Sequence, residues 1–208
     1  MSSGSFEVIV GPMSSGKSSE AILASDRHRY ADDNVLIIHS SRNVREENVS
    51  SRLGVSRPSV KVKWLSEVEE LPEFGEADVI CVDELHMFVN DDDPQNHDAT
   101  DALKSIKGWL ESGIDVIASG LDVLANSNLS KVFAEVLRLT PDVRWVRAAC
   151  EIRTSPECER KDARHTVILT REGDRIPLEE LPDVIPDDGS VIYKPACRPC
   201  FYGFVKVL

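Results

Sequence analysis

The sequence predicts an α/β fold, a parallel sheet flanked by helices, followed by a small C-terminal domain. Three observations predict it. Short apolar segments alternate with helix-like ones through about residue 148. A glycine-rich turn, Gly11-Pro12-Met13-Ser14-Ser15-Gly16-Lys17-Ser18, joins the first apolar segment to the first helical one. Beyond Ala149 charge and proline rise, helical periodicity fades, and four of the five cysteines collect. Parallel strands are buried on both faces, so they read as short apolar runs, and helices must connect them. The expected domains are therefore 1–148 and 149–208.

The elements follow in order. Residues 6–10 form a short apolar strand that ends at Gly11. Residues 18–31 read as a helix, with Ala21, Ile22 and Ala24 on its apolar side. Residues 35–38 are the next apolar run, and the polar stretch 40–59 reads as a long loop or a partly ordered segment. Residues 60–65 alternate as a strand does, and 79–82, which includes Cys81, read as a buried strand. A helix over 98–111, a strand over 116–118, a helix over 130–137 and a strand over 143–146 complete the alternation. Pro177, Pro182, Pro186, Pro195 and Pro199 then punctuate the tail.

The composition, 41% hydrophobic and 29% charged over 208 residues, is that of a globular chain. No apolar run nears the roughly 20 residues of a membrane span. The start lacks the basic and apolar regions of a signal peptide, so a soluble cytoplasmic protein is expected. The net charge of −12, with a local run at Asp91, Asp92 and Asp93, is unsuited to a long nucleic acid, which needs a basic face.

Residues 11–18 match the phosphate-loop pattern in full and sit in the required strand–turn–helix context. Glycines at Gly11 and Gly16 let the backbone turn its N–H groups inward, and the following helix presents its positive end. Met13, Ser14 and Ser15 contribute the intervening amides, Lys17 brings charge to the outer phosphates of ATP, and Ser18 can ligate Mg²⁺. The apolar run 79–82 then delivers Asp83 and Glu84 at its carboxyl end, where α/β folds bind ligands. Asp83 suits Mg²⁺, and Glu84 is free to act as a general base.

Cys197-Arg198-Pro199-Cys200 has the spacing of a Zn²⁺ knuckle. Cys150 and Cys158, with seven residues between them, would complete a four-sulfur set, and His165 is the alternative to one of the cysteines.

Taken together, these residues resemble the zinc-containing thymidine kinases, the cellular and poxviral type. The likeness extends to Pro12-Met13 in the loop, to Ser41-Arg42 and Ser51-Arg52, and to Asp83-Glu84-Leu85-His86-Met87-Phe88. Gly120-Leu121-Asp122 and the spacing of Gly189, Tyr193, Cys197 and Cys200 carry it into the tail.

The resemblance implies ATP-dependent phosphorylation of the 5′-hydroxyl of thymidine or a related pyrimidine deoxynucleoside. It makes Glu84 the base and Arg42, with Lys17, a stabiliser of the transferred group. Met13, His86, Phe88, Asp122, Gly189 and Tyr193 would bind the nucleoside. A lasso over 187–196, held by the zinc domain, would close over the base, and the chain would assemble as a homo-oligomer, a tetramer by resemblance.

The chain departs from the family pattern at Ser14, where an aromatic is usual, at His86 for glutamine and at Ser40 for aspartate. It also lacks the phenylalanine-bearing loop, having Val123-Leu124-Ala125-Asn126-Ser127-Asn128 in its place. These departures support another reading, a catalytically weak nucleotide-binding sensor or scaffold; a third reading, an ATPase whose acceptor is water, leaves the lasso unexplained. Retention of Glu84 favours an enzyme, and the lasso spacing favours a kinase.

Overall fold

The structure, a computed structural model, describes residues 3–43, 47–51, 54–88, 99–183, 185 and 189–203. Arg52, the acidic run at Asp91 to Asp93 and residues 187–188 of the expected lasso lie outside the described residues.

In chain order the elements are β1 (Phe6–Val10), α1 (Lys17–Tyr30), β2 (Val35–Ser40), the short pair β3 (Val49–Ser50) and β4 (Ser56–Arg57), β5 (Val60–Val62) and β6 (Val79–Asp83). Then come α2 (Ala99–Glu111), β7 (Asp115–Gly120), α3 (Lys131–Val136), β8 (Asp142–Trp145), β9 (Ala163–Leu169), β10 (Ile192–Cys197) and α4 (Arg198–Tyr202). Six strands form one parallel sheet in the order β5-β2-β6-β7-β1-β8.

Alternate residues of each strand enter opposite cores, as the period of two requires. Ile9, Ile37, Cys81 and Ile117 join Ala21, Ile22 and Ala24 of α1 in one cluster. Val8, Val10, Ile38, Ile80, Val82 and Ala118 join Ile106 and Trp109 of α2 and Phe133 of α3 in the other. Two-sided burial explains the unbroken apolar runs in the sequence.

Two expectations needed adjustment. The strand over 60–65 stops at Val62, and a 3₁₀ segment, Leu65–Glu70, takes over. Glu67 Oε2 accepts the N–H groups of Lys63 at 2.7 Å and Trp64 at 3.2 Å, which caps that turn and buries Leu65 and Val68. The polar stretch after β2 carries the β3–β4 pair, with Val49 buried against the α1 face.

The tail also contains structure that composition concealed. β9 and β10 pair antiparallel, and α4 follows directly. Two small cores form there. One gathers Cys150, Cys197, Cys200, Val167 and Phe201, and the other gathers Ile168, Leu181 and Ala125. No described helix is long and apolar enough to cross a membrane.

Candidate active site

β6, β7 and β1 are neighbours in the sheet, and their carboxyl ends bring three sequence motifs together. The phosphate loop leaves β1, Asp83 and Glu84 leave β6, and Gly120-Leu121-Asp122 leaves β7. A parallel sheet puts all these ends on one edge, which is where such folds bind ligands.

The loop's glycines are there for steric reasons. A Cβ on Gly11 would lie 2.3 Å from the Val146 carbonyl oxygen. Gly16, at φ 87°, occupies the left-handed region as it starts α1. Ser14 also adopts positive φ, 61°. Lys17 is buried, and its Nζ donates to the Pro12 carbonyl at 3.0 Å. Ser15 Oγ is buried within the loop with no hydrogen-bond partner. A buried hydroxyl left unsatisfied is costly, and a phosphate oxygen is the kind of acceptor such a loop supplies it with, so the residues fit the group.

Ser18 Oγ donates to Asp83, at 3.1 and 3.3 Å to the two carboxylate oxygens. Ser119, on β7, donates to Asp83 Oδ1 as well. Burial, and then the charge of Glu84, pushes the Asp83 carboxyl above its ordinary range, while the two serine donors and Lys17 oppose that. Together the carboxylate and the hydroxyl offer oxygen atoms of the kind a hard cation takes as ligands. Glu84 is itself at φ 53°, outside the comfortable range of a non-glycine residue. That bend turns the chain from β6 into the 3₁₀ segment Leu85–Phe88, which the Met87 N–H closes on the Glu84 carbonyl at 2.8 Å. Backbone strain at the exit of a strand is typical of functional sites.

Beside Glu84 lies a cleft that opens to solvent. Met13, Met87, Leu121, Leu124, Ala125 and Ile185 make its apolar walls, and Glu84, His86, Asn43, Asp183 and Tyr193 supply polar groups. His86 Nδ1 accepts the Leu121 N–H at 3.2 Å and lies 3.3 Å from Glu84 Oε2. Burial lowers the His86 pKa to about 3, with Lys17 adding to the effect, so the ring is neutral and its proton sits on Nε2.

The other expected residues are placed as follows. Phe88 is 2% exposed and belongs to the main core. Asp122 lines a second, wider cleft with Gly11, Pro12 and His165. Arg42 places its guanidinium carbon 5.3 Å from the centre of the Trp64 ring, and its backbone N–H donates to Ser40 Oγ at 3.2 Å. Gly189, at φ 83°, offers its carbonyl to Arg171 at 2.9 Å. Tyr193, in β10, donates from its hydroxyl to the Ile185 carbonyl at 3.5 Å.

Sequence reasoning missed several participants. Ser119 is an ordinary serine ending a strand, and only strand adjacency brings it to Asp83. Thr166 of β9 accepts the Met13 N–H at 3.0 Å and ties the loop to the tail. Asn43, Asp183 and Ile185 had no motif to mark them.

The ligand sulfurs of Cys150, Cys158, Cys197 and Cys200 all lie within 4.8 Å of one another. Sulfurs about 2.3 Å from a tetrahedral zinc stand roughly 3.8 Å apart, and the Cys158–Cys197 separation is 3.8 Å. A disulfide needs about 2 Å. The long spacing from Cys150 to Cys158 is absorbed by a folded-back loop, in which the Cys150 N–H donates to the Arg160 carbonyl at 2.9 Å and Arg153 turns to φ 55°. His165 stands apart from the cluster and stacks on Phe201, with ring centres 4.3 Å apart.

This fold and site define an α/β protein with a phosphate-loop turn and a four-cysteine cluster compatible with zinc. The thymidine kinase family model matches residues 4–201, so the chain belongs to the thymidine kinase family and is a nucleoside kinase. A thymidine kinase of African swine fever virus, Warthog isolate, is 24% identical over 99% of this chain and 93% of its own length. Thymidine kinases of Roseiflexus and of Chloroflexus aurantiacus are 26% and 28% identical, each over 95% of this chain and 95% and 94% of their own lengths.

Proposed function

We propose that the protein transfers the γ-phosphoryl group of ATP to the 5′-hydroxyl of thymidine or a related pyrimidine deoxynucleoside. The observation that carries this is the position of Glu84, which lines the cleft and is next in sequence to Asp83, which the phosphate-loop residue Ser18 contacts. A carboxylate between this cleft and a phosphate loop can accept a proton from a hydroxyl as that hydroxyl attacks phosphorus.

In this reading the loop amides from Met13 to Ser18 hold the donor phosphates, with Gly11 and Gly16 permitting the bend. Ser18 and Asp83 would hold Mg²⁺, which when bound would supply positive charge to the outer phosphates. Lys17 leaves the Pro12 carbonyl for the transferred group and neutralises its developing charge. Arg42 would join it by moving from Trp64. Met13, His86 and Tyr193 border the nucleoside. The four cysteines hold Zn²⁺ and fix the base of the lasso, in a domain spanning 149–208 against a kinase domain of 1–148. The family resemblance adds a cytoplasmic homo-oligomer, a tetramer, which sedimentation of the purified chain would test.

The deciding experiment offers natural and 5-substituted nucleosides as acceptors with magnesium ATP. Pyrimidine deoxynucleosides should yield 5′-monophosphates. Release of inorganic phosphate with no nucleotide product from any of them would overturn the reading.

A further inference from the structure

The loop that replaces the family's phenylalanine-bearing segment reaches across to the tail at the mouth of the cavity. Residues 122–130 are stiffened by their own hydrogen bonds. The Leu124 N–H donates to the Asn128 carbonyl, the Ser127 N–H to the Leu124 carbonyl and the Ser130 N–H to the Asp122 carbonyl, at 2.8, 3.0 and 2.8 Å. Asn126 Oδ1 accepts the Asn128 N–H at 3.0 Å, which orients the Asn126 amide. From this platform two side-chain amides converge on one carboxylate oxygen. Asn126 Nδ2 lies 2.7 Å and Asn128 Nδ2 3.1 Å from Asp183 Oδ1. Lys131 Nζ is 3.9 Å from Asp183 Oδ2.

Beneath this bridge Ala125, buried at 7% exposure, packs with Ile168 and Leu181. The same Ala125 lines the nucleoside cavity, as do Asp183 and Ile185. The bridge thus fastens one cavity wall to another across 57 residues of sequence.

We propose that Asp183 is a positioning residue. Clamped by Asn126 and Asn128, it holds Leu181 and Ile185 in place as a wall of the nucleoside cavity, and so sets the KM for nucleoside without acting in the transfer. This rests on the nucleoside-phosphorylating reading above. The chemistry is specific, because two neutral donors on one carboxylate oxygen are charge-assisted hydrogen bonds of fixed direction. Truncating either side frees groups that water can reach, since the Asp183 side chain is 34% exposed, and so costs little in folding. It does release the wall, and each charge-assisted bond lost corresponds to about tenfold or more in an equilibrium constant.

The test is steady-state kinetics on the full chain with magnesium ATP and its best nucleoside. Asp183→Ala and Asn126→Ala should each raise nucleoside KM about tenfold and leave kcat and the KM for ATP within about twofold. The double variant should lose less than the product of the two single losses, because both remove the Asn126–Asp183 bond, while Asn126 Nδ2 also donates to the Leu181 carbonyl at 3.4 Å. Asp183→Asn keeps an acceptor oxygen and should restore most of the affinity.

An effect from Asp183→Ala with none from Asn126→Ala would mean that Asp183 touches the nucleoside directly, and would overturn the clamp. Equal losses in kcat and in both KM values would overturn it too, as a general loss of structure. Should the wild type phosphorylate no nucleoside, the functional reading fails, and the bridge is then judged from hydrogen exchange over residues 178–183. Faster exchange in Asn126→Ala and Asp183→Ala, but not in Asp183→Asn, supports the bridge, and unchanged exchange refutes it.

Discussion

Ser119 donates its hydroxyl to Asp83 from the adjacent parallel strand. Val82 pairs with Ala118, so the next step along both strands sets Asp83 beside Ser119 at the sheet's edge. Both are buried. The hydrogen bond fixes the carboxylate that Ser18 also meets, and leaves Glu84, one residue on, at the cavity.

Ser119→Ala should therefore weaken magnesium use while sparing nucleoside binding. A partner that orients a metal ligand is worth about 10–100-fold in metal affinity. The half-saturating magnesium concentration should rise by that order, with nucleoside KM little changed. Titrating Mg²⁺ at fixed ATP checks it, and an unchanged magnesium curve would show that Asp83 does not hold the ion.

Glu84→Gln should lose most of the turnover yet keep ATP binding. The substitution is nearly isosteric, but an amide cannot take a proton from a 5′-hydroxyl at neutral pH. Loss of a general base costs about 10²–10⁴-fold. A fall of less than about tenfold in kcat, with ATP affinity preserved, would remove Glu84 from the base's role.

Lys17→Ala should abolish transfer without unfolding the protein. Lys17 Nζ bonds within the loop to Pro12, at 3.0 Å, and joins no apolar core cluster. Its removal takes charge from the phosphates rather than packing from the interior. Circular dichroism and melting temperature should match the wild type, and near-normal turnover would sink the assignment.

One zinc per chain is expected from elemental analysis of protein purified without added metal. Four sulfurs within 4.8 Å of one another hold together β10, α4 and the loop before β9. Metal binding in such a site is folding free energy. Cys158→Ser should lower the zinc content and the melting temperature together, and well-folded active protein without zinc would remove the site from this account.

Thymidine should not be the best substrate. Small aliphatic and polar residues, Leu124, Ala125 and Asp183, border the cavity where the family resemblance leads one to expect aromatic rings. Each lost aromatic contact removes about 0.5–1.5 kcal/mol beyond its area. Two or three amount to about one to three orders of magnitude in affinity. His86, neutral with its proton on Nε2, can donate to a polar substituent that thymine lacks. Comparing kcat/KM for thymidine, deoxyuridine and 5-substituted deoxyuridines checks this, and a clear preference for thymidine would show that the aliphatic wall serves as well.

The sequence by itself determined the sheet, the phosphate loop, the Asp83-Glu84 pair and the cysteine set. Each of these is a local pattern. Apolar runs such as Val79-Ile80-Cys81-Val82 follow from burial on both faces. Gly11 and Gly16 follow from backbone geometry that other residues resist, and Cys197-Arg198-Pro199-Cys200 from the reach of two thiols across one turn. Tertiary structure alone decided what those patterns meet. Strand order made Ser119 the partner of Asp83, the β9–β10 ribbon brought Thr166 to Met13, and the loop at Asn126 found Asp183 far along the chain. It also sent Phe88 into the core, since the 3₁₀ turn after Glu84 directs His86 to the cavity and Phe88 into the main apolar cluster. Such pairings join residues 36 to 153 positions apart. A one-dimensional pattern records the period and chemistry of neighbours, whereas contacts at that separation exist only once the sheet has fixed which strand ends stand side by side.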